Sequence, residues 1–290
     1  MTARPLSEKL FDALLYALLA CIVFIVVYPF IHVLSVSFSD RAEAIRAGFH
    51  FFPRSVSLDA YAQVLQASNI WIGYGNTAYR MAFGTALTMI VTVLAAYPLS
   101  KAYFPWRRGI TMLILFTMIF EGGMIPTYLL FKELGLLNTR GAYVFPYAAN
   151  PFYVLVMMSF FRSIPKELEE SARIDGASET KTLLRIVLPL TIPVLVTLCL
   201  WALVFHLNYF TDNLLYVTDR SKFVLQQVLR EILIEDRQDS FSMVEMAEEP
   251  PASESLKMAA IVVSILPMAA VYPFLLKYFE KGLMVGSVKG

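Results

Sequence analysis

Residues 162–189 read RSIPKELEESARIDGASETKTLLRIVLP and form a polar segment between two long apolar stretches. Pro165 suits the first turn of a helix, and the acidic residues that follow it complement the positive end of the helix dipole. Gly176 can adopt the left-handed conformation that ends a helix. Ser178 suits the N-cap of a second helix, which Pro189 then ends. This segment, called loop 162–189 below, is therefore predicted to fold as two helices joined at a glycine.

The sequence on both sides of the loop is that of a membrane protein. Of its 290 residues 58% are hydrophobic, whereas soluble domains are usually about 45–50% apolar. A helix needs about 20 mainly apolar residues to cross a hydrocarbon core of about 30 Å. The stretches that qualify are Leu14–Ser37, Asn76–Ala96, Ile110–Leu130, Tyr143–Phe161, Ile192–Phe210 and Met258–Leu276. We therefore expect an all-α fold, a single polytopic domain over residues 1–290 with six transmembrane helices.

The distribution of Lys and Arg predicts the orientation of these helices. With the N-terminus inside, 13 of the 24 basic residues fall in cytoplasmic segments. Most of the 13 lie close to the ends of the spans, where the positive-inside rule applies. Both termini and loop 162–189 are then cytoplasmic, and the long segments 38–75 and 211–257 lie on the opposite side.

The two outer segments carry helical patterns of their own. Apolar residues between Phe51 and Leu65 are spaced like a short amphipathic helix at the membrane interface. Val224, Leu225, Val228, Leu229 and Ile232 also recur at helical spacing. The Glu-Glu-Pro-Pro sequence at 248–251 predicts an irregular turn. These segments could dock an extracytoplasmic partner or only cap the helices, and both interpretations stay open.

Several functional classes are disfavoured by what the sequence lacks. A net charge of +1 argues against a nucleic-acid partner. Cys21 and Cys199 both lie in apolar runs and predict neither a disulfide framework nor a zinc site. No Gly-x-x-x-x-Gly-Lys-Ser/Thr phosphate loop occurs, and no catalytic or metal-binding constellation is visible. We expect a non-catalytic chain with no metal or cofactor of its own.

Loop 162–189 also has the features of a contact surface. Leu168 and Ala172 lie one helical turn apart, on one face. The small residues Ser171, Ala172 and Ala177 would let another backbone approach closely, and Leu168 and Ile174 would supply apolar contact. The alternative is an ordinary amphipathic connector that rests on the membrane surface, and the pattern alone favours that alternative.

The same loop closely resembles the EAA loop of binding-protein-dependent ABC importers, written Glu-Ala-Ala-x-x-x-Gly, then nine intervening residues, then Ile-x-Leu-Pro. Two positions depart mildly from that pattern: Ser171 replaces the first alanine, and Leu184 stands where the family often has Phe. The residues in register are Glu170, Ala172, Gly176, Ile186, Leu188 and Pro189, with Asp175 and Ala177 matching the sugar-permease form.

The resemblance extends along nearly the whole chain. Asn76-Thr77, the Gly122-Gly123-Met-Ile-Pro126 sequence, Tyr272-Pro273-Phe and the terminal 281–290 segment are similar to those of maltose-type carbohydrate-uptake permeases. The branch that handles complex and uronate-containing oligosaccharides, such as alginate, is the most similar. This resemblance implies the six-helix fold of type I ABC importer permeases.

The family resemblance also implies roles for the loop residues. In that family the loop docks into a cleft on the nucleotide-binding subunit and transmits closure of that subunit to the membrane helices. Glu170 would be the polar anchor, Ala172 and Ala177 the close-contact positions, and Gly176 the bend. Leu168, Ser171 and Asp175 would complete the coupling surface. The C-terminal tail is similar to one that reaches toward the ATPase pair.

The function implied by the resemblance is ATP-driven import of an oligosaccharide across a bacterial inner membrane. The expected partners are a second and different permease chain, an extracytoplasmic solute-binding protein and two ATPase subunits, which would hold ATP and Mg²⁺. The alternatives are a secondary transporter driven by an ion gradient and a polytopic membrane enzyme. A convincing internal repeat would favour a secondary transporter, and none is visible.

Two ionisable residues, Arg80 and Glu121, fall within the predicted spans, where charge is costly unless it meets a partner or a wet cavity. Both lie toward the outer half, so we hypothesise that they pair with each other or line the solute path. Alternatively, Arg80 extends to the outer interface and Glu121 bonds to a neighbouring helix. Trp201 and Tyr209 could stack on sugar rings along the path, although such residues more often pack or anchor helices.

Overall fold

The computed structural model describes residues 6–46, 48, 50–239, 253–266 and 269. Over these residues the chain is helical, and its one β-type pairing is an isolated bridge between Ser39 and Val56. The predicted all-α fold is confirmed. The described chain divides into two compact units, one containing residues up to 68 and residues 229–266, the other residues 69–228. The single-domain organisation stays a prediction.

The first unit begins with the long helix α1, Leu6–Ser37, which is apolar throughout. Two short helices follow, α2 (Arg41–Ala44) and α3 (Asp59–Gln66). The Ser37 hydroxyl lies 2.8 Å from the Tyr61 hydroxyl and links α1 to α3. Helix α3 confirms a short amphipathic helix in this segment, although it begins only at Asp59.

The loop between α2 and α3 folds around one carboxylate. Glu43 accepts hydrogen bonds from the backbone N–H groups of Arg54 and Ser55 at 2.8–3.0 Å. These bonds, first that from Ser55 and then that from Arg54, lower the pKa of Glu43 below its ordinary value. Asp40 caps α2 through the backbone N–H of Glu43 at 2.7 Å. The loop is therefore an ordered part of the first unit.

The second predicted span is a continuous helix longer than expected. Helix α4 (Ser68–Tyr79) runs through a π-helical turn, Arg80–Gly84, into α5 (Thr85–Ser100). Together they form a 33-residue segment that can cross a membrane. The helix begins at Ser68, eight residues before the predicted start of the span at Asn76. Arg80 therefore lies about 18 Å along the helix, not one turn from its end.

The third and fourth predicted spans are not straight helices. Helices α6 (Arg107–Ile119) and α7 (Met124–Glu133) are bent by 114° at the residues between them. Gly123 has a φ of +83° at this break, a conformation that L side chains rarely adopt. The 3₁₀ turns over Arg140–Tyr147 meet helix α8, Pro151–Ser163, at 41°.

The remaining described chain completes the second unit and returns to the first. Its helices are α9 (Lys166–Ile174), α10 (Glu179–Thr182), α11 (Leu188–Leu190), α12 (Ile192–Asn208), α13 (Thr211–Tyr216), α14 (Leu225–Asp239) and α15, residues 254–266. Helix α14 confirms the helix that the spacing of the apolar residues between Val224 and Ile232 predicts.

The number of spans depends on how the bent pairs are counted. In the part of the chain that is described, two helices are long and apolar enough to cross a membrane, or up to five if each bent pair is one span. The predicted sixth span, Met258–Leu276, is helical through 266, and most of the rest of it lies outside the described residues. The predicted turn at 248–251 and the terminal segment 281–290 also lie outside them.

Helices α5, α8 and α12 enclose the apolar core of the second unit. Ala96, Met157 and Leu198, one from each helix, are fully buried. Leu183 and Val187, which follow α10, belong to the same cluster. Because both ends of loop 162–189 are continuous with core helices, a displacement of the loop would be transmitted directly to that core.

Candidate coupling site

The first helix of loop 162–189 ends in a motif that requires Gly176. The Ala177 N–H donates to the Ala172 carbonyl at 2.9 Å, and the Gly176 N–H donates to the Arg173 carbonyl at 3.1 Å. These bonds form a Schellman motif, in which the residue after the C-cap is left-handed. Gly176 has a φ of +75°, as predicted. Ser178 caps α10 through the backbone N–H of Lys181, which is also as predicted.

The exposed surface of α9 differs in part from the predicted contact face. Leu168 is 43% exposed and Ile174 87% exposed, although both are apolar. Glu170, Ser171, Asp175 and Gly176 are exposed as well, and Ala177 is half-buried. Ala172, in contrast, is 6% exposed. The roles of these residues in coupling stay a prediction.

An ion pair anchors α9 to the end of α5. The Lys101 ammonium group pairs with the Glu169 carboxylate, and both side chains are largely buried. The same ammonium group lies 4.1 Å from the centroid of the Tyr97 ring. Lys101 is the C-cap of α5, so the base of the loop is attached to the C-terminal end of that helix.

A second carboxylate ties the two helices of the loop to α5. Glu179, at the start of α10, accepts hydrogen bonds from the hydroxyls of Tyr97 (3.0 Å) and Tyr103 (2.9 Å) and from the Arg173 guanidinium (2.8 Å). Burial alone would raise the pKa of Glu179, but these three donors outweigh it and hold the pKa below its ordinary value of 4.5. Glu179 is therefore charged at neutral pH.

The second helix of the loop continues almost to the fifth predicted span. A π-helical turn, Leu183–Val187, follows α10, and the helix ends at Leu190, one residue past Pro189. The chain then turns by 82° into α12. The loop is thus a bent helical element with exposed apolar residues, and its base is paired with the end of α5.

A second polar cluster lies within the same unit, around Arg80. Its guanidinium forms two parallel hydrogen bonds with Asp212, at 3.0 Å from Nη1 to Oδ1 and 2.8 Å from Nη2 to Oδ2. Both side chains are 0% exposed. Arg80 also donates to the Tyr209 carbonyl oxygen and, at 3.5 Å, to Nδ1 of His206.

Aromatic rings and a close backbone approach surround this cluster. The guanidinium carbon of Arg80 lies 5.7–5.8 Å from the ring centroids of Tyr143, Tyr147 and Tyr209. A Cβ atom on Gly84 would lie 2.6 Å from Cε1 of His206. The π-helical turn therefore brings its backbone against the imidazole ring at a position where only glycine fits without a shift.

Comparison with known proteins assigns the chain to a family. Residues 70–285 match the family model described as the inner membrane component of binding-protein-dependent transport systems. The chain belongs to this family. It is therefore a membrane component of a transport system, a permease chain.

Two curated relatives match the permease over almost its whole length. Protein LplC of Bacillus subtilis (strain 168) is 40% identical over 284 residues, covering 98% of this chain and 96% of the relative. The polygalacturonan/rhamnogalacturonan transport system permease protein YtcP of the same strain is 39% identical over 286 residues, covering 98% and 100%.

A solved structure shows the same fold. It is described as a bacterial ABC transporter involved in the import of the acidic polysaccharide alginate. One of its chains superposes on the permease with a TM-score of 0.86 at 30% identity, covering 96% of this chain and 100% of that chain. The type I ABC importer permease fold expected from the sequence is thereby confirmed.

The hypothesis that Arg80 pairs with Glu121 is wrong. The partner of Arg80 is Asp212, and Glu121 is exposed at the break between α6 and α7. Since Arg80 is 0% exposed, it does not line a solute path in this structure either. Whether Glu121 contacts the solute stays a prediction.

The two aromatic candidates for the solute path differ in their surroundings. Trp201 is 37% exposed and stacks on Phe152, with ring centroids 5.8 Å apart. Tyr209 stacks on Phe205, with ring centroids 5.0 Å apart, and its carbonyl oxygen accepts a hydrogen bond from Arg80. Tyr209 is therefore part of the packing around the buried cluster, and a role for Trp201 in the path stays a prediction.

Sequence reasoning missed three residues that organise the permease. Asp212, Lys101 and Glu179 all form ion pairs across long sequence separations or between helices. A usable signal existed for Asp212, because an arginine inside a span needs a carboxylate nearby and Asp212 follows the end of the fifth span. No comparable signal singled out Lys101 at the end of α5, or Glu179 among the charged residues of the loop.

Proposed function

We propose that this permease is a membrane-spanning subunit of an ABC importer that moves an oligosaccharide into the cytoplasm. The observation that carries the proposal is loop 162–189, a bent helical element with Leu168 and Ile174 exposed. Exposed apolar side chains on a short charged helix fit a protein interface better than open solvent. Because the loop carries the EAA motif of the family, the proposed partner is an ATPase subunit.

The anchoring of the loop supports a mechanical role. Lys101–Glu169 fixes α9 to α5, and the residues after α10 enter the core cluster with α8 and α12. A partner that closes around α9 would therefore move three core helices together. ATP and Mg²⁺ would be held by the two ATPase subunits, and this chain would perform no covalent chemistry.

The proposed orientation places loop 162–189 and both termini in the cytoplasm of a bacterium, with a solute-binding protein on the opposite face. The positive-inside distribution of Lys and Arg supports this orientation. The family description names dependence on a binding protein. A second, different permease chain would complete the pathway, because carbohydrate permeases of this type normally pair with a distinct partner.

The proposed substrate class is an acidic or complex polysaccharide fragment. The names of two relatives support it, since one transports polygalacturonan or rhamnogalacturonan and the other imports alginate. Polygalacturonan and alginate are polymers of uronic acids. We therefore propose that uronate oligosaccharides are the first solutes to test.

The test is uptake by proteoliposomes that contain the complete complex and its binding protein. Uptake that requires ATP and persists without any ion gradient supports the importer, whereas uptake that requires a gradient and no ATP would establish a secondary transporter. Glu170→Lys should lower uptake about tenfold by repelling the docked ATPase. Glu167→Lys is the matched control, because Glu167 is exposed on the same helix but lies outside the family motif.

The two variants separate coupling from general charge effects. If Glu170→Lys and Glu167→Lys lowered uptake equally, the loss would reflect the added charge on α9 and not a specific anchor. If neither lowered it, loop 162–189 would not be the coupling element.

A further inference from the structure

A cavity of about 410 Å³ lies beside the coupling loop, between the end of α5, the start of α6, the end of α8 and helix α9. Its lining is strongly cationic. The positively charged side chains are Lys101, Arg107, Arg162, Lys166 and Arg173, against the two carboxylates of Glu169 and Glu170.

Only part of this positive charge is neutralised. Lys101 pairs with Glu169, and Arg173 pairs at 2.8 Å with Glu179. Arg107, Arg162 and Lys166 form no ion pair with any carboxylate in the described ranges of the chain. Three cations therefore face the cavity with Glu170 as the one lining carboxylate that is not already paired.

Two of these cations are held in place by backbone carbonyl groups. Arg162 donates to the Leu99 carbonyl at 3.1 Å, and Arg107 donates to the Lys101 carbonyl at 3.4 Å. Like charges that line one cavity repel one another, and an anion between them would remove that repulsion.

The surroundings of the cavity place it at a membrane interface. Arg107 is the first residue of α6, one of the predicted membrane-crossing helices, and none of the residues of α6 is buried in the described chain. Trp106 precedes it and is 85% exposed, as expected of an aromatic residue at the level of lipid headgroups. Basic pockets between membrane helices on the cytoplasmic side are sites for anionic lipid headgroups.

We infer that this cavity binds the phosphate headgroup of an anionic phospholipid, with Arg107, Arg162 and Lys166 as its ligands. The acyl chains would extend along the exposed surface of α6. Because Lys166 begins α9 while Arg107 begins α6, a bound phosphate would tie the coupling helix to the membrane helices. The cytoplasmic location of this lipid rests on the proposed function.

The experiment uses the intact complex, purified and placed in bilayer discs of phosphatidylcholine with 20% phosphatidylglycerol as the probe. Native mass spectrometry counts the phosphatidylglycerol molecules that stay bound to this chain. At about fivefold in affinity per basic residue, Arg107→Gln and Lys166→Gln should each lower retention about fivefold, and the double variant about 25-fold. Arg108→Gln is the matched control, because Arg108 is exposed beside Arg107 but does not line the cavity.

Retention that survives Arg108→Gln but falls in the other two variants supports the inference. An equal loss in all three would mean diffuse attraction of lipid to a basic surface and would overturn it. A second arm adds inorganic phosphate to complexes in pure phosphatidylcholine, and equally tight binding of phosphate there would show that a soluble anion is the ligand. Loss of ATPase subunits from Arg107→Gln with the lipid still bound would assign the cavity to subunit docking.

These outcomes are separable from the proposed function. Co-purification of the ATPase with the wild-type complex tests the importer, whereas lipid retention tests the cavity. A chain that keeps phosphatidylglycerol but binds no ATPase would overturn the first and leave the second standing.

Discussion

Loop 162–189 and the Arg80 cluster both contain arginine–carboxylate pairs, but the two pairs differ in how much they contribute to stability. In the loop, Arg173 and Glu179 are six residues apart and about half exposed, at 56% and 51%. In the cluster, Arg80 and Asp212 are 132 residues apart and fully buried. Exposed pairs contribute about 0–1 kcal/mol, whereas breaking a buried pair costs about 3–5 kcal/mol. Breaking the pair in the Arg80 cluster should therefore lower the stability of the permease strongly. Changes in loop 162–189 should lower coupling to the ATPase with a smaller loss of stability.

The strongest test removes the carboxylate of the cluster. Asp212→Ala leaves the Arg80 charge buried and unpaired, and we expect a loss of about 3–5 kcal/mol in the free energy of unfolding. Thermal unfolding of the purified permease measures it. Asp219→Ala is the control on the same segment, because its pair with Lys222 is partly exposed and its loss should lower the unfolding midpoint much less.

A double variant shows whether the pair itself is responsible. Arg80→Leu with Asp212→Leu removes both charges, so it should be more stable than Asp212→Ala alone. If the double variant were no more stable than the single one, the buried charge would not be the cause of the loss.

The second test addresses the close approach at Gly84. Gly84→Ala places a methyl group 2.6 Å from Cε1 of His206. Overpacking of this kind costs about 1–3 kcal/mol, and it should lower the midpoint of thermal unfolding. Gly75→Ala is the matched control in the same continuous helix, because nothing lies within 4 Å of its added Cβ. Equal effects of the two substitutions would place the sensitivity in helix propensity, not in the cluster.

The third test moves to the loop. Gly176→Val forces a branched residue into a φ of +75°, which costs about 1–2 kcal/mol locally. We expect uptake to fall sharply, and the unfolding midpoint of the permease to fall less than in Asp212→Ala, because the local backbone cost is smaller than that of a broken buried pair. Gly176→Asn is the control, because Asn tolerates the left-handed region better than other residues. A large fall in the unfolding midpoint would contradict the separation of coupling from stability.

The smallest expected effect is a pH dependence of the loop. The pKa of Glu179 is below its ordinary value of 4.5 in the folded chain, so protonation favours the unfolded form. Its contribution is complete above about pH 4.5 and is lost as the pH falls through the folded-state pKa. We expect less than about 1 kcal/mol, because the pair with Arg173 is half exposed.

Hydrogen exchange of residues 166–182 measures this effect between pH 7 and pH 3.5, after correction for intrinsic rates. Protection should be constant down to about pH 4.5 and then decrease. In Glu179→Gln the decrease should be absent, and its persistence there would assign the titration to another group.

The same contrast explains how much the sequence could predict. Gly176 and Ser178 were predictable because a left-handed C-terminus and an N-cap are set by neighbouring residues. The pairing of Arg80 with Asp212 was not, because it depends on which helices adjoin, and a single sequence does not specify that. Sequence reasoning placed the right charge type inside the span but chose the wrong partner.

The bend within the third predicted span was missed for a different reason. A hydropathy criterion counts apolar residues and does not detect a change in the direction of the helix axis. Ile110–Leu130 therefore qualified as one span despite Gly122 and Gly123. At the 114° bend between α6 and α7, Gly123 adopts a positive φ that hydropathy does not register. The loop motif, in contrast, matched the family at most of its positions, with Ser171 and Leu184 as departures, and the burial of Ala172 could not be read from it.

The distance along the chain between Arg80 and Asp212 has a consequence for biosynthesis. The helix that carries Arg80 emerges from the ribosome 132 residues before its counter-ion. At about 5–20 residues per second, this interval lasts roughly 7 to 26 seconds. Throughout it, the nascent helix carries an uncompensated guanidinium that the acyl-chain region rejects. We therefore expect full membrane integration of this segment to be favoured only once translation has passed residue 212.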